Sequence, residues 1–443
     1  MSKLSETFSF LTKHPQFTLA IIAFVFQSLF FVYIVMSNTI EVPHSDMIPV
    51  LTELTKSHSP AELFLYQYAT HFQGIGYIIT YITLQVFSWK ITSLSGLSAS
   101  IQITTGLLAL LLVYRIFKRI KFTDILIPIV ILSTKAHELH IVIPNISSAV
   151  LPIHMIFLTS VILTVHTKWK FVALTLLGVL TIYTGYGIIT LPLFYTIFAI
   201  LLIKNSNKEF HLYNFIAFSI AATYLIYSYN PTFDASCLHS MKETGDYLVF
   251  INQMFLNYFH LHRFITPVSP LILLMASMTI YHVIKAVHSK NPYVDTHLVL
   301  FLFYGFSTLA AISTSIGRIC FGGDAGNAPR YTIFFVTAII ATYIDLQRAL
   351  VNHKSRVFIW IFMAIVILTE LFATLSIITV MKNVSNSAKR WVLCYQKTKS
   401  IHDCSYSTGF YPAGTDPQEY VGLYDLLLYS EQNHVLFFTN NNQ

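Results

Sequence analysis

Long apolar runs, separated by short polar connections, recur along the whole chain. A helix needs about 20 mostly apolar residues to cross the hydrocarbon core of a bilayer, and several of the runs approach that length. The strict alternation of apolar and polar residues that is typical of a membrane β-barrel is missing from the sequence. The pattern predicts an all-α fold, a polytopic membrane helical bundle. The predicted helices are 16–36, 97–117, 122–136, 146–166, 171–184, 187–203, 211–229, 267–286, 296–316, 331–348 and 356–380.

Two apolar stretches do not fit one span each. The run between residues 169 and 204 is too long for a single crossing, and the sequence TGYG at 184–187 breaks it, so we expect two short helices in a hairpin. The run 74–90 is predicted to lie horizontally or to re-enter the membrane without crossing it. The alternative is that 74–90 crosses as a further span.

Basic residues indicate the orientation. The connections rich in lysine and arginine are KRIK at 118–121, KWK at 168–170, KNSNK at 204–208, and the loops 285–290 and 348–356. Cytoplasmic loops carry an excess of these residues. Placing all of them inside predicts about eleven transmembrane helices, with the N-terminus inside and the C-terminus outside. If 74–90 crosses, there are twelve spans, and either KRIK faces out or the C-terminal tail lies inside.

This topology divides the chain into a transmembrane bundle, 1–380, and a small extracytoplasmic tail, 381–443. The first outer loop, 37–96, is expected to carry juxtamembrane helices. Of the 443 residues, 55% are hydrophobic and only 11% are charged. The formal net charge of +7 belongs mostly to the short basic loops, so it indicates no nucleic-acid partner.

All four cysteines fall on the predicted outer side, although only lysine and arginine were used to orient the chain. An oxidising compartment permits disulfides. Cys394 and Cys404 are the predicted pair, because both lie in the tail. The other pairings, which involve Cys237 and Cys320, remain possible from the sequence, as do free thiols.

Polar residues concentrate on the same outer side, at the rim of the predicted bundle. The candidate substrate-binding residues are His44, His71, His137, Glu138, His140, His262 and Arg263. Asp46 stands just beyond the first span in the stretch EVPHSDMIPVL and is the candidate general base, since a base must reach the proton of a substrate hydroxyl. The alternative role is a helix N-cap, which Ser45 or Asp46 would provide for MIPVLTELTKSH.

Arg318 and Arg330 bracket a glycine-bearing turn, GRICFGGDAGNAPRY. Arginines bind phosphate through charge-assisted hydrogen bonds, and glycines allow backbone amides to approach an anion. The positive-inside rule predicts few arginines on the outer side, and a bound phosphate would explain why two are present there. The alternatives are a salt bridge to Asp324 and interfacial snorkelling.

Two further patterns point to other chemistry. HELH at 137–140 is not the HExxH zinc motif, because its histidines are three residues apart, and no metal cofactor is predicted. These residues and the histidines of FHLHRF are expected to line a polar cavity or to lie at the interface. Glu370 lies inside an apolar span, where an acid either hydrogen-bonds a neighbouring helix or belongs to a proton path.

Together, SDMIPVL after the first span, the following LFLYQYATHFQG, and GRICFGGDAGNAPRY resemble the integral-membrane GT-C glycosyltransferases. The resemblance implies a GT-C-like bundle in a bacterial inner membrane, with its active site facing the periplasm or exterior. It implies transfer of a sugar from a polyprenyl-phosphate donor to an acceptor glycan or lipid. Asp46 would deprotonate the acceptor, and Arg318, Arg330 and Tyr331 would hold the donor phosphate. Within this group, the small chain with its modest tail resembles the serotype-converting O-antigen glucosyltransferases.

Two other classes of function compete with this one. An O-antigen polymerase or ligase would also use outer arginines and a lipid-linked donor. A flippase or transporter of a lipid-linked sugar would instead need polar residues through the membrane, where the sequence offers mainly Glu370.

Overall fold

The computed structural model describes residues 15–56, 58–68, 71–142, 146–167, 169–204, 208–230, 244–259, 271–289, 294–349, 356–413 and 417–438. Within these ranges the chain is helical apart from connections and one two-stranded hairpin, which confirms the all-α prediction. The α-helices are α1 Pro15–Asn38, α2 Met47–Leu54, α3 Pro60–Leu65, α4 Gly74–Val86, α5 Ile91–Phe117, α6 Leu126–Ile131, α7 Leu151–Leu163, α8 Lys170–Ile182, α9 Leu191–Lys204, α10 Lys208–Ser228, α11 Thr244–Tyr258, α12 Leu271–His288, α13 Val294–Arg318, α14 Val336–Ala349, α15 Arg356–Thr398, α16 Ile401–Thr408 and α17 Pro417–Gln432.

Nine helical stretches of the described residues are long and apolar enough to cross a membrane, so the chain is a multi-pass membrane protein. These stretches are Pro15–Asn38, Ile91–Phe117, Ile146–Leu163, Gly185–Lys204, Glu209–Ser228, Leu271–His288, Asp295–Phe321, Pro329–Ala349 and Val357–Thr398. Two of the eleven predicted spans, 122–136 and 171–184, do not reach that length as single helices.

The predicted helix 122–136 is wrong as a single helix. The segment contains a 3-10 turn at Phe122–Ile125, then α6, then a second 3-10 turn at Thr134–Leu139. The break falls at Ser133, whose backbone is extended and whose side chain accepts a hydrogen bond from the Lys135 amide. A serine that caps a new turn in this way ends the helix before it.

This broken segment nevertheless contacts both ends of its neighbour, Pro329–Ala349. Gln347 Nε2 donates to Thr123 Oγ1 at 2.7 Å at one end. At the other end, Arg330 Nη1 lies 3.9 Å from Glu138 Oε2. The segment therefore covers the same depth of the molecule as a complete transmembrane helix.

The predicted break at TGYG is confirmed, because α8 ends at Ile182 and a 3-10 turn at Gly185–Thr190 leads into α9. Helix α8 has only 13 residues. Its first residue, Lys170, donates to Asp295 Oδ1 at 2.8 Å, in the first turn of α13. The chain then reaches Tyr186, which lies near Arg318 at the far end of α13. This segment, too, extends as deep as its long neighbour.

The first outer loop contains α2, α3, the hairpin and α4. Strand β1, Gln67–Tyr68, pairs antiparallel with β2, His71–Phe72, so that Tyr68 faces His71. Helix α4 has 13 residues, which gives it a length of about 20 Å, shorter than the hydrocarbon core of about 30 Å. Helix α5 begins at Ile91, earlier than the predicted residue 97.

The predicted boundary between bundle and tail, at 380, falls inside a continuous helix. Helix α15 extends for 43 residues, from Arg356 to Thr398. Residues 381–398 contain no glycine or proline, and they bury a stripe that includes Trp391 and Tyr395, whose stacked rings lie 5.2 Å apart. Packing of this stripe stabilises the extension.

The tail packs back onto the first outer loop. A buried cluster joins Trp391 and Phe410 to Ile40, Val42 and Ile48. A disulfide links Cys394 to Cys404, the pair expected from the sequence, and joins the end of α15 to α16. The main core lies in the bundle around α7 and α13, where Phe157 and Phe303 have ring centroids 4.8 Å apart.

The remaining short elements are all 3-10 or π turns. They are the π turn Ile146–Val150 and the 3-10 turns Ile319–Phe321, Gly323–Asn327, Pro329–Phe335 and Leu436–Phe438.

Candidate functional site

A small cavity lies where the first outer loop meets the turns at one end of the bundle. It encloses about 60 Å³, enough for a few water molecules, since about 10–15 Å³ holds one. Six of the residues predicted from the sequence line it: Asp46, His71, Glu138, Arg318, Arg330 and Tyr331. The other lining residues are Tyr68, Gln73, Leu139, Ser148, Ala149, Tyr186 and Phe334. Segments that are far apart in sequence thus supply one site.

Asp46 occupies the N-cap position of α2, but its side chain makes no capping hydrogen bond. The residue before it, Ser45, has a positive φ of 47° and donates its amide to Pro412 O at 2.9 Å. The tail therefore fixes the backbone that presents Asp46. The half-buried carboxylate lines the cavity and is not used to hold the helix.

Arg330 and Glu138 form the charged centre of one wall. Their facing atoms, Nη1 and Oε2, are 3.9 Å apart, and the side chains are 32% and 25% exposed. The Arg330 guanidinium also lies 5.5 Å from the ring centroid of Tyr331. Glu138 Oε2 is buried and accepts no hydrogen bond from the described residues.

Arg318 ends α13 on the opposite side of the same turn. Its guanidinium lies 5.7 Å from the ring centroid of Phe321. No carboxylate of the described residues comes within 4.0 Å of it, and it makes no salt bridge with Asp324. Burial, and then the charge of Arg318, lower the pKa of His71 to about 4, so this neighbour is neutral at pH 7. The charge of Arg318 is therefore not balanced by any acid in direct contact.

Glycines set the shape of the turn between the two arginines. Gly322 has a φ of +89°, which favours glycine. At Gly326 an added Cβ would lie 2.5 Å from the carbonyl oxygen of Phe250. Helix α11 also holds the turn through Asn257, which donates to Asn327 O at 2.7 Å. The two arginines therefore flank a turn whose backbone packs tightly against helix α11.

Close backbone contacts position the other side of the cavity. A Cβ at Gly185 would meet the carbonyl oxygen of Ser147 at 2.0 Å, and one at Gly74 would meet Tyr183 O at 2.2 Å. These contacts bring Tyr186 and Ser148 to the cavity. Tyr186 in turn lies against His71, with ring centroids 4.4 Å apart.

Three of the predicted substrate-binding histidines do not line the cavity. His44 packs against Phe410, and burial lowers its pKa against the opposing effect of Asp46. His140 Nδ1 lies 2.8 Å from Ser98 Oγ, and burial lowers its pKa to about 3. His137 is buried outside the cavity lining. The predicted residues His262 and Arg263 lie outside the described residues.

Sequence reasoning missed Tyr68, Gln73, Ser148 and Tyr186. Tyr186 belongs to the TGYG break, and Tyr68 and Gln73 lie in the stretch LFLYQYATHFQG, but neither pattern singled out these side chains. Gln73 is 1% exposed, and its Oε1 accepts no hydrogen bond from the described residues. It is therefore a buried acceptor at the edge of the cavity.

Glu370 lies outside this cavity in a closed network. Lys135 Nζ is 2.9 Å from Glu370 Oε1, and both side chains are almost fully buried. Ser133 donates to Oε2 at 2.7 Å and Tyr258 to Oε1 at 3.2 Å. The acid inside the apolar span is thus satisfied by neighbouring elements.

Among the described residues, the cavity combines a carboxylate that makes no capping hydrogen bond (Asp46), a guanidinium with no carboxylate within 4.0 Å (Arg318), and a guanidinium that faces Glu138 (Arg330). In the described part of the chain, no group of three or more metal-ligating side chains is close enough to hold an ion. No protein-family model, curated protein or solved structure matches this chain.

Proposed function

We propose that the protein is a membrane glycosyltransferase that moves a sugar from a polyprenyl-phosphate donor to an extracytoplasmic glycan or lipid acceptor. The observation that carries the proposal is the convergence of Asp46 with Arg318 and Arg330 in one cavity at one end of the bundle. A base for the acceptor hydroxyl and cations for the departing phosphate are the two groups that this transfer requires.

The position of the cavity supports an extracytoplasmic site. The basic connections meet one another at the opposite end, where Lys121 bonds Gln347 and Lys204 Nζ donates to Ser289 O at 3.0 Å. Counting the broken segment 122–139 and α8 as passes gives eleven crossings, with the basic end inside. The cavity then opens outside, where polyprenyl-linked sugars are used.

The arginines suit a phosphate that gains charge as it leaves. In a polyprenyl-phosphate sugar the phosphodiester carries one negative charge, and release of the sugar converts it to a phosphomonoester that can carry two. Arg318 has no carboxylate in contact among the described residues, so its charge is available to the phosphate. Fixed positive charge that meets a developing anion lowers the barrier more than it strengthens ground-state binding.

Asp46 supplies the other half of the step. Its carboxylate accepts the proton of the acceptor hydroxyl while the acceptor oxygen forms a bond to the anomeric carbon. The bond from that carbon to the phosphate oxygen breaks, and its electron pair leaves with the polyprenyl phosphate. Gln73 Oε1 and Glu138 Oε2, buried acceptors without hydrogen bonds from the described residues, are suited to the other sugar hydroxyls.

The small volume of the cavity limits which ligands can enter it without a change in the structure. Its volume of about 60 Å³ suits a group such as phosphate, whereas sites for larger ligands enclose about 300 Å³ or more. Entry of a sugar ring therefore requires the walls to separate. The hairpin residues Tyr68 and His71 form the wall on the side of the first outer loop.

Transport of the lipid-linked sugar is the less favoured function. A transport path needs polar groups that remain available through the membrane, and the intramembrane acid Glu370 is already bonded by Lys135, Ser133 and Tyr258.

The decisive variant is Asp46→Asn, which removes the base but keeps the shape of the side chain. Expression of the wild-type chain in a bacterial host should add a sugar to an envelope glycan or lipid, detected by mass spectrometry of the purified glycans. Asp46→Asn should reduce transfer at least 100-fold, the lower end of the contribution of a general base, which is about 10²–10⁴-fold.

Asp324→Asn is the matched control, because Asp324 is exposed, lies in the neighbouring turn and does not line the cavity. It should retain wild-type transfer. Full transfer by a well-expressed Asp46→Asn variant would remove Asp46 from the mechanism and, with it, the main support for the proposal.

A further inference from the structure

A second cavity lies between α1 and α5, close to the basic connection at 118–121. The two helices touch at Gly106, where an added Cβ would lie 2.9 Å from the ring of Phe24. Toward the basic end they separate and leave a groove of about 870 Å³. The groove extends along α5 from Leu107 to Lys118, a rise of about 16 Å at 1.5 Å per residue. This is about half the hydrocarbon thickness of a bilayer, the depth of one leaflet.

The walls of the groove are apolar. Ala20 on α1 leaves room opposite Leu107, Leu111 and Tyr114, which are 47%, 44% and 48% exposed. An acyl chain is the apolar group that a membrane would supply at this depth.

The mouth of the groove carries two cations with no acid in contact. Lys118 and Arg119 line it and are exposed, and no carboxylate of the described residues comes within 4.0 Å of either. Two neighbouring basic residues are occupied: Arg115 Nε donates to Thr164 Oγ1 at 2.7 Å, and Lys121 bonds Gln347. The charge at the mouth therefore remains available to a ligand.

We propose that this groove binds one anionic phospholipid, with its phosphate headgroup on Lys118 and Arg119 and an acyl chain between α1 and α5. Two adjacent cations favour a headgroup with net negative charge, since the ammonium of a zwitterionic lipid would be repelled. The site lies at the end of the bundle opposite the Asp46 cavity and does not depend on the proposed transfer reaction.

Native mass spectrometry of the purified full chain tests this site with equal amounts of phosphatidylglycerol and phosphatidylcholine. The wild-type chain should retain phosphatidylglycerol preferentially. The double variant Lys118→Asn with Arg119→Gln should reduce that preference by roughly tenfold or more, because two juxtamembrane cations are lost. Asparagine is chosen at position 118 because Lys118 has a φ of +56°, a conformation that asparagine tolerates.

Lys389→Gln with Arg390→Gln is the matched control, since it removes the same charge from an exposed face of α15. It should leave the lipid preference unchanged. Equal retention of the two lipids by the wild type, or the same loss in both double variants, would overturn the proposal. Crosslinking from a photoreactive residue in place of Leu107 to residues 1–14 of the chain, and not to lipid, would also overturn the proposal.

Discussion

Arg318 and Arg330 line the same cavity, yet their surroundings differ. Arg330 shares its charge with Glu138, whereas no described carboxylate contacts Arg318. The pair of Arg330 and Glu138 is partly exposed, so its loss should cost less than about 1 kcal/mol of stability. Both side chains are proposed to act on the phosphate, and Arg318 should contribute more because its charge is not shared with a described carboxylate.

We predict that Arg318→Gln lowers kcat/KM for a polyprenyl-phosphate sugar by about 10- to 100-fold, mainly through kcat, as expected when a charge-assisted hydrogen bond worth about 1.5–3 kcal/mol is lost from the transition state. Its melting temperature should stay within 2 °C or so of the wild type, because no ion pair breaks. Steady-state kinetics and thermal unfolding in detergent measure the two quantities. A large fall in melting temperature with unchanged kcat/KM would assign Arg318 a structural role instead.

His71 gives the stability of the protein a dependence on pH. Its pKa is lowered from 6.5 to about 4, first by burial and then by Arg318. Between these values the unfolded chain binds the proton and the folded chain does not, so stability is lost as pH falls from 6.5 toward 4. His71→Gln should reduce the difference in melting temperature between pH 7 and pH 4.5.

The control for this prediction is His402→Gln, because the His402 side chain is 83% exposed. It should keep the wild-type pH dependence. The effect of His71→Gln should be partial, since burial also lowers the pKa of His140, to about 3. An unchanged pH dependence in His71→Gln would mean that His71 is hydrated in the folded protein.

At the scale of elements, the turn between the arginines is the part most sensitive to small changes. Gly326→Ala would place a Cβ 2.5 Å from the carbonyl oxygen of Phe250, so the turn must move. We predict that this variant loses at least tenfold in transfer rate, because a displacement of about 1 Å at a site can cost 100-fold.

Gly317→Ala provides the matched control, because nothing lies within 4 Å of a Cβ at that position. It lies in the last turn of α13, where alanine also favours the helix. Transfer rates of the two variants, measured at equal membrane expression, test the idea. Equal rates would show that the position of the turn does not limit the reaction.

Two other elements show where sequence patterns mislead. The apolar run 122–136 has the composition of a span, but Ser133 caps a new turn and breaks it. The predicted end of a span at 380 follows a fall in hydropathy, whereas α15 continues to Thr398 because Trp391 and Tyr395 pack against the first outer loop. Hydropathy reports solvent preference, and it does not report the contacts that extend or break a helix.

At the scale of the whole molecule, sidedness is the property on which the proposed function depends. Cysteine labelling measures it directly, because no cysteine is free among the described residues. In right-side-out vesicles, a membrane-impermeant maleimide should label Asn386→Cys on exposed α15 and should leave Arg119→Cys unlabelled. The reverse pattern would place the Asp46 cavity in the cytoplasm, away from the proposed donor.

The all-α, multi-pass membrane character of this protein was predictable from the amino-acid sequence, because apolar length and periodicity are local properties of the chain. The sequence also identified Asp46, Arg318 and Arg330 by their charge at the ends of apolar runs. The three-dimensional fold was needed to show that these three share a cavity with His71 and Glu138, while His44, His137 and His140 lie outside its lining. Such convergence depends on contacts between residues that are far apart in sequence, such as Arg330 with Glu138, nearly two hundred positions away, and no local pattern encodes them.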